Sequence, residues 1–226
     1  MKIRSIRYAS ALAIACTMVP APAAFAQDHA EHAETTVGAA EELRSLLATS
    51  EEAFLDRNPI AAFYRGDFSD ADRLGDWSPA SYAQERAAAE ENLAALATID
   101  RDQLSAGDRI AYDTFRYSNE RTLAGAEPEV LKTVLALPLD HFRGIQGDYP
   151  SFSAPDGIMP FKTVEDYANN VARHADYARM VEDVVARFDT GIEQGITLPR
   201  LTVEMMIEQL DTQLSTPEDE NAYYAP

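Results

Sequence analysis

Residues 163–195 read TVEDYANNVARHADYARMVEDVVARFDTGIEQG. Within this stretch Val164, Tyr167, Val171, His174, Ala178, Val181, Val185, Phe188 and Ile192 recur at alternating steps of three and four. That is the period of an α-helix, and no two-residue alternation competes with it. Thr163 with Asp166 three residues later supplies a start signal, and Gly191 and Gly195 supply a stop. A stripe this long predicts a helix that buries one face along its whole length. His174 sits on the stripe. No second ligand-type residue shares it, so His174 is expected to be a hydrogen-bonded core residue rather than a metal ligand.

Upstream of this helix, residues 137–161 read LPLDHFRGIQGDYPSFSAPDGIMPF and carry four of the twelve prolines and three of the ten glycines. Proline fixes φ and removes a donor, and glycine tolerates positive φ, so neither a helix nor a regular strand is expected through it. Its aromatic and aliphatic residues predict a shaped, ordered loop rather than a linker. Asp140, His141, Arg143, Asp148 and Tyr149 are the candidate site residues. They could line a polar cleft, with Arg143 holding a carboxylate by a forked pair of hydrogen bonds. The competing reading is that they satisfy the loop's own backbone groups.

The rest of the chain is also helical in pattern. Leu43, Leu47, Ser50 and Phe54 form a stripe that Asn58-Pro59 ends. Ser78-Pro79 opens a second helix carrying Tyr82, Ala89, Leu93 and Leu96. Ser105 with Asp108 opens a third, whose Ile110, Tyr112, Phe115 and Tyr117 are expected in a helix–helix core. A last helix follows Pro199. The fold class is therefore all-α: a bundle-like array of about five helices around one long Pro/Gly/aromatic loop.

Composition narrows the function classes. The formal charge is −19, with 38 acidic and 19 basic residues. A surface this acidic repels nucleic acid and anionic membranes, so no nucleic-acid partner is expected. Residues 1–26 have a basic start (Lys2, Arg4, Arg7), an apolar run and Ala24-Phe25-Ala26, which together predict a signal peptide cleaved after Ala26. The mature chain is then periplasmic or secreted and leaves no membrane segment. Cys16, the single cysteine, lies in the apolar run, so no disulfide and no thiol chemistry are expected in the mature protein. Residues 27–37 are polar and read as a disordered tail, whose His29 and His32 lack the spacing of a zinc helix. Residues 38–226 form the helical domain. Neither a phosphate-binding glycine loop nor a Gly-x-Ser-x-Gly elbow occurs, and no histidine begins a His-Glu-x-x-His motif. The residues alone specify no catalytic group.

Several short segments nevertheless carry a resemblance. They are Asp56-Arg57-Asn58-Pro59 with Gly66, Leu104-Ser105 with Asp108-Arg109 and Tyr112-Asp113, and Pro138-Leu139-Asp140-His141-Phe142 with Gly144 and Gln146-Gly147. Pro150, Pro160-Phe161, Asp166-Tyr167, Gly191, Gly195 and Pro199 continue the order. Together they resemble the amino-terminal part of the bacterial family known as domain of unknown function 885. The resemblance implies a largely helical, commonly exported, zinc-peptidase-like protein whose metal motif lies in a carboxy-terminal half that this chain does not reach. No zinc ligand or catalytic residue carries over, and no cofactor is expected on these residues. The expectation is a truncated, inactive portion whose loop forms a substrate-cleft wall for a peptide or small molecule. The alternative is a non-catalytic periplasmic helical binding or interaction module.

Overall fold

The computed structural model describes residues 23–152, 154, 157–221 and 223, and side chains from residue 38 onward. Residues 1–22, and with them most of the expected signal, lie outside the described residues. Eight α-helices and two single 3-10 turns make up the regular structure, and no strand occurs among the described residues. The fold is all-α.

Helix α1 (Ala23–Arg57) ends where Asn58 precedes Pro59, and α2 (Pro59–Phe63) restarts at once with that proline in its first turn. Residues 27–37, expected as a disordered tail, are helical within α1. That stretch has two alanines, two glutamates and one glutamine and holds no proline or glycine, so nothing local stops a helix there. After an irregular segment, residues 64–78, come α3 (Pro79–Leu96) and α4 (Ala106–Gly125), the latter capped by Ser105 accepting from the Asp108 amide at 3.2 Å. Next are α5 (Pro128–Ala136), α6 (Ile145–Phe152), α7 (Val164–Glu193) and α8 (Arg200–Ser215). The expected Thr163–Asp166 capping box is formed at the start of α7.

Two cores result. α1, α3 and α4 enclose Leu43, Leu96, Ile99, Leu104 and Tyr112. The other core gathers Phe63, Leu74, Ile145, Tyr149, Phe152 and Met180, so α2, the irregular segment, α6 and α7 meet there. On α4 the aromatic expectation divides. Tyr112 is buried and Phe115 packs beside it, while Ile110 and Tyr117 are exposed on the far side.

The long loop departs from expectation in one respect: α6 runs through its middle with Pro150 inside the helix. The missing Pro150 N–H would have bonded the Gln146 carbonyl one turn back. That carbonyl instead accepts from Gln213 Nε2 of α8 at 3.1 Å. The proline therefore costs no orphaned acceptor and fastens α8 to the loop.

Helix α7 is where the sequence expected it, but a different face is buried. Val164, Val171, Val185 and Ile192 of the apolar stripe are exposed. The buried row is Asn170, Arg173, Met180, Val184, Arg187 and Gly191, about a quarter-turn round the helix. Near its end α7 touches α5 so closely that a Cβ on Gly191 would lie 2.9 Å from the carbonyls of Ala136 and Ile196. Backbone on both sides cannot yield, so Gly191→Ala is expected to cost about 1–3 kcal/mol through overpacking. Gly125→Ala, where a Cβ meets nothing within 4 Å, should be neutral or stabilising. Urea unfolding of the two variants checks this. Equal effects of the same chemical change would contradict the close contact.

Candidate functional site

Trp77, the single tryptophan, lies near the end of the irregular segment and borders three clefts of about 480, 160 and 410 Å³. Its position is set from α7. Arg173 donates to the Ala71 carbonyl, Asp176 accepts from the Leu74 amide at 3.0 Å, and Arg187 Nη1 donates to the Trp77 carbonyl at 3.4 Å. Gly75, at φ +97°, turns the backbone between these anchors in a region that disfavours other residues.

The 410 Å³ cleft lies between the end of α5 and the loop, with Trp77, Asp140, Arg143 and Asp148 on its walls. Asp140 accepts from the amides of Phe142 and Arg143 at 2.8 and 2.9 Å, closing a tight Asx-type turn. Those two N–H groups, helped by the Arg143 guanidinium at 3.2 Å, hold the Asp140 carboxyl below the usual carboxylate range. Arg143 is exposed beyond this single contact, and Asp148 is exposed.

The other two sequence candidates do not face this cleft. Tyr149 is fully buried, stacked on Tyr177 with ring centroids 4.4 Å apart, and its hydroxyl is 3.0 Å from His174 Nδ1. Its place is set by the period of α6: Ile145, Tyr149 and Phe152 share that helix's inner face. His141 packs on Phe142, and its carbonyl accepts from Gln209 of α8 at 2.8 Å. The candidates therefore divide into a turn pair with one neighbour (Asp140, Arg143, Asp148) and two residues with structural contacts.

His174 is hydrogen-bonded as expected, but half-buried beside the core rather than within it. Its Nδ1 is 2.7 Å from the Asn170 carbonyl and its Nε2 is 3.0 Å from the Tyr223 carbonyl. Tyr177 and Tyr223 share a hydroxyl–hydroxyl bond of 2.9 Å, and burial pushes both phenols above their ordinary range. Neither is suited to accept a proton near neutral pH. Among the described residues no three His, Cys, Asp or Glu side chains group closely enough to hold a metal ion. The residues described do not fit a zinc ion, and no step through a metal is assigned to them. The side chains of His29 and His32 lie outside the described residues.

Sequence reasoning missed the 480 Å³ cleft, enclosed by the end of α1, α2, the start of α3 and Trp77. Arg57 and Asn58 both donate to Glu85, at 3.0 and 3.2 Å. Asn58-Pro59 reads only as a helix terminator in sequence, and no local pattern links it to Glu85, 27 residues away.

The model of a family described as bacterial protein of unknown function (DUF885) matches residues 59–226. No curated protein and no solved structure matches the chain. No helix among the described residues is long and apolar enough to cross a membrane.

A carboxyl depressed by folding contributes stability above its unfolded pKa, about 3.9, and that contribution is lost as pH falls through the folded value. The Asp140 turn should therefore stay closed down to about pH 4 and open only below it. The amide resonances of Phe142 and Arg143 are expected to titrate together in that acid range, and Asp140→Asn should abolish the transition. A midpoint near neutrality would contradict the assignment.

Proposed function

The chain belongs to the bacterial DUF885 family, and from that premise we propose that it forms the substrate-cleft wall of an exported, peptidase-like hydrolase. The loop 137–161 and Trp77 face a peptide or small-molecule substrate, and chemistry is supplied by groups other than those described. The observation that carries this reading is the uncovered apolar surface of α7 and α8. Val164, Val171, Val185 and Ile192 on one helix, and Leu201, Ile207, Leu210 and Leu214 on the other, are exposed in a chain whose charge is −19. Large apolar side chains exposed along two helices form surface suited to contact with another element. α8 itself buries no residue and is tied on through Gln209 and Gln213. A helix so placed is suited to packing against a further layer.

Asp140, Arg143 and Asp148 offer two carboxylates and one guanidinium at the rim of the 410 Å³ cleft. That set orients a polar substrate backbone. Asp140 is committed to its turn and is not available as a nucleophile. The support for export is the amino-terminal sequence pattern, and the support for peptidase-like chemistry is the family resemblance.

One preparation of the isolated chain tests the reading twice. It is expected to enhance the fluorescence of a hydrophobic dye under native conditions, with Val171→Lys and Val185→Lys suppressing the signal at little cost in stability. It is also expected to hydrolyse no peptide, with or without added zinc. A dye-silent monomer with a sharp two-state melt would remove the support for a covered face. Stoichiometric zinc retained on dialysis, with peptide hydrolysis lost on chelation, would overturn the assignment of a cleft wall without chemistry of its own.

A further inference from the structure

Arg187 is the one charged group on the wall of the 480 Å³ cleft that is nearly removed from water, at 5% exposure. Among the described residues no carboxylate pairs with it. Its Nε donates to the Leu135 carbonyl at 3.0 Å, and its Nη2 to the Val134 carbonyl at 3.0 Å and the Tyr82 hydroxyl at 3.3 Å. Nη1 has only the long contact to the Trp77 carbonyl, so it is the least committed part of the guanidinium. The Tyr82 ring lies 5.5 Å from the guanidinium carbon and adds a cation–π contact. Neutral acceptors offset only part of the desolvation of a buried cation, and an anion would complete it.

The other charged side chains of the cleft are Arg57, Glu85 and Asp76. Arg57 is spent on Glu85, and Asn58 donates to the same carboxylate. Asp76 uses one carboxylate oxygen on the Ser78 amide at 2.9 Å. The same wall carries the apolar and aromatic residues Phe54, Ile60, Tyr64 and Trp77. A cation, a carboxylate and apolar wall residues lining one cleft complement a small zwitterion with an apolar side chain. The volume suits a ligand of dipeptide size.

We propose that this cleft binds a short, unblocked apolar peptide, with its terminal carboxylate on Arg187 and its ammonium group facing Asp76. The site is separate from the loop cleft, and the proposal does not depend on the cleft-wall reading.

Trp77 lines the cleft and is the only tryptophan, so its emission reports occupancy directly. The full chain is titrated with the dipeptide alanyl-phenylalanine, with its carboxy-terminal amide and with its N-acetyl derivative, by fluorescence and calorimetry together. The unblocked dipeptide is expected to saturate the change in the millimolar range or tighter, and the amide to bind at least about tenfold more weakly. The blocked ligands test the charge pairing without disturbing the fold. Asp76→Asn should weaken the unblocked dipeptide and leave the N-acetyl derivative unchanged. Equal binding of acid and amide overturns the Arg187 assignment. Absence of saturable binding by both methods overturns the site, while leaving the dye result on α7 and α8 untouched.

Discussion

The structure depends on one constraint: backbone that forms no regular structure must still find hydrogen-bond partners, and α7 supplies them. Residues 64–78 contain no regular helix or strand. Arg173, Asp176 and Arg187, on neighbouring rows of α7, engage this segment at Ala71, Leu74 and Trp77. Arg187 also takes the carbonyls of Val134 and Leu135 at the end of α5, which are among the last carbonyls that a helix cannot pair internally. A cation there also meets the negative end of the helix dipole. The same side chain therefore fixes α5, the irregular segment and Tyr82 of α3 around α7.

This arrangement explains why two arginines are buried without carboxylate partners. Desolvation lowers the pKa of Arg173, whose exposure is 1%. Placing cations there would be unfavourable if they served only one another's packing. Arg187 serves the carbonyls of Trp77, Val134 and Leu135, and Arg173 serves the Ala71 carbonyl and the Asn170 side chain; an unpaired buried carbonyl costs about 1–3 kcal/mol. The clefts beside Trp77 follow from the same arrangement, because a segment held by its backbone leaves side chains free to line space. The loop uses a second version of it: Pro150 frees the Gln146 carbonyl, and α8 binds what was freed.

The fold class was legible because period, caps and breakers agree along most of the chain. The capping box of α7, the Ser105 cap and the Asn58-Pro59 break are all local signals, and all stand in the structure. The buried face of α7 was not legible. Its apolar stripe and its Arg173–Arg187 row share one period and differ only in phase, and hydrophobicity alone selects the stripe. The row is buried for hydrogen bonding to segments 52 to 110 residues distant, which no local pattern encodes. The site was legible only in part. Asp140, Arg143 and Asp148 do border a cleft, but Tyr149 is core because the proline-containing stretch around it is helical. Arg57, Asn58 and Glu85 come together only through the packing of α1 on α3.

The central claim is that a buried cation on α7 holds other segments through their carbonyls. Arg187→Met tests it most directly, since methionine approximates the apolar bulk and removes every donor. If the account is right, urea unfolding will show a loss of about 2–4 kcal/mol, because the Val134 and Leu135 carbonyls are left without partners. A variant as stable as the parent, or more stable, would show that Arg187 is a tolerated charge and that the segments around α7 are held by packing alone.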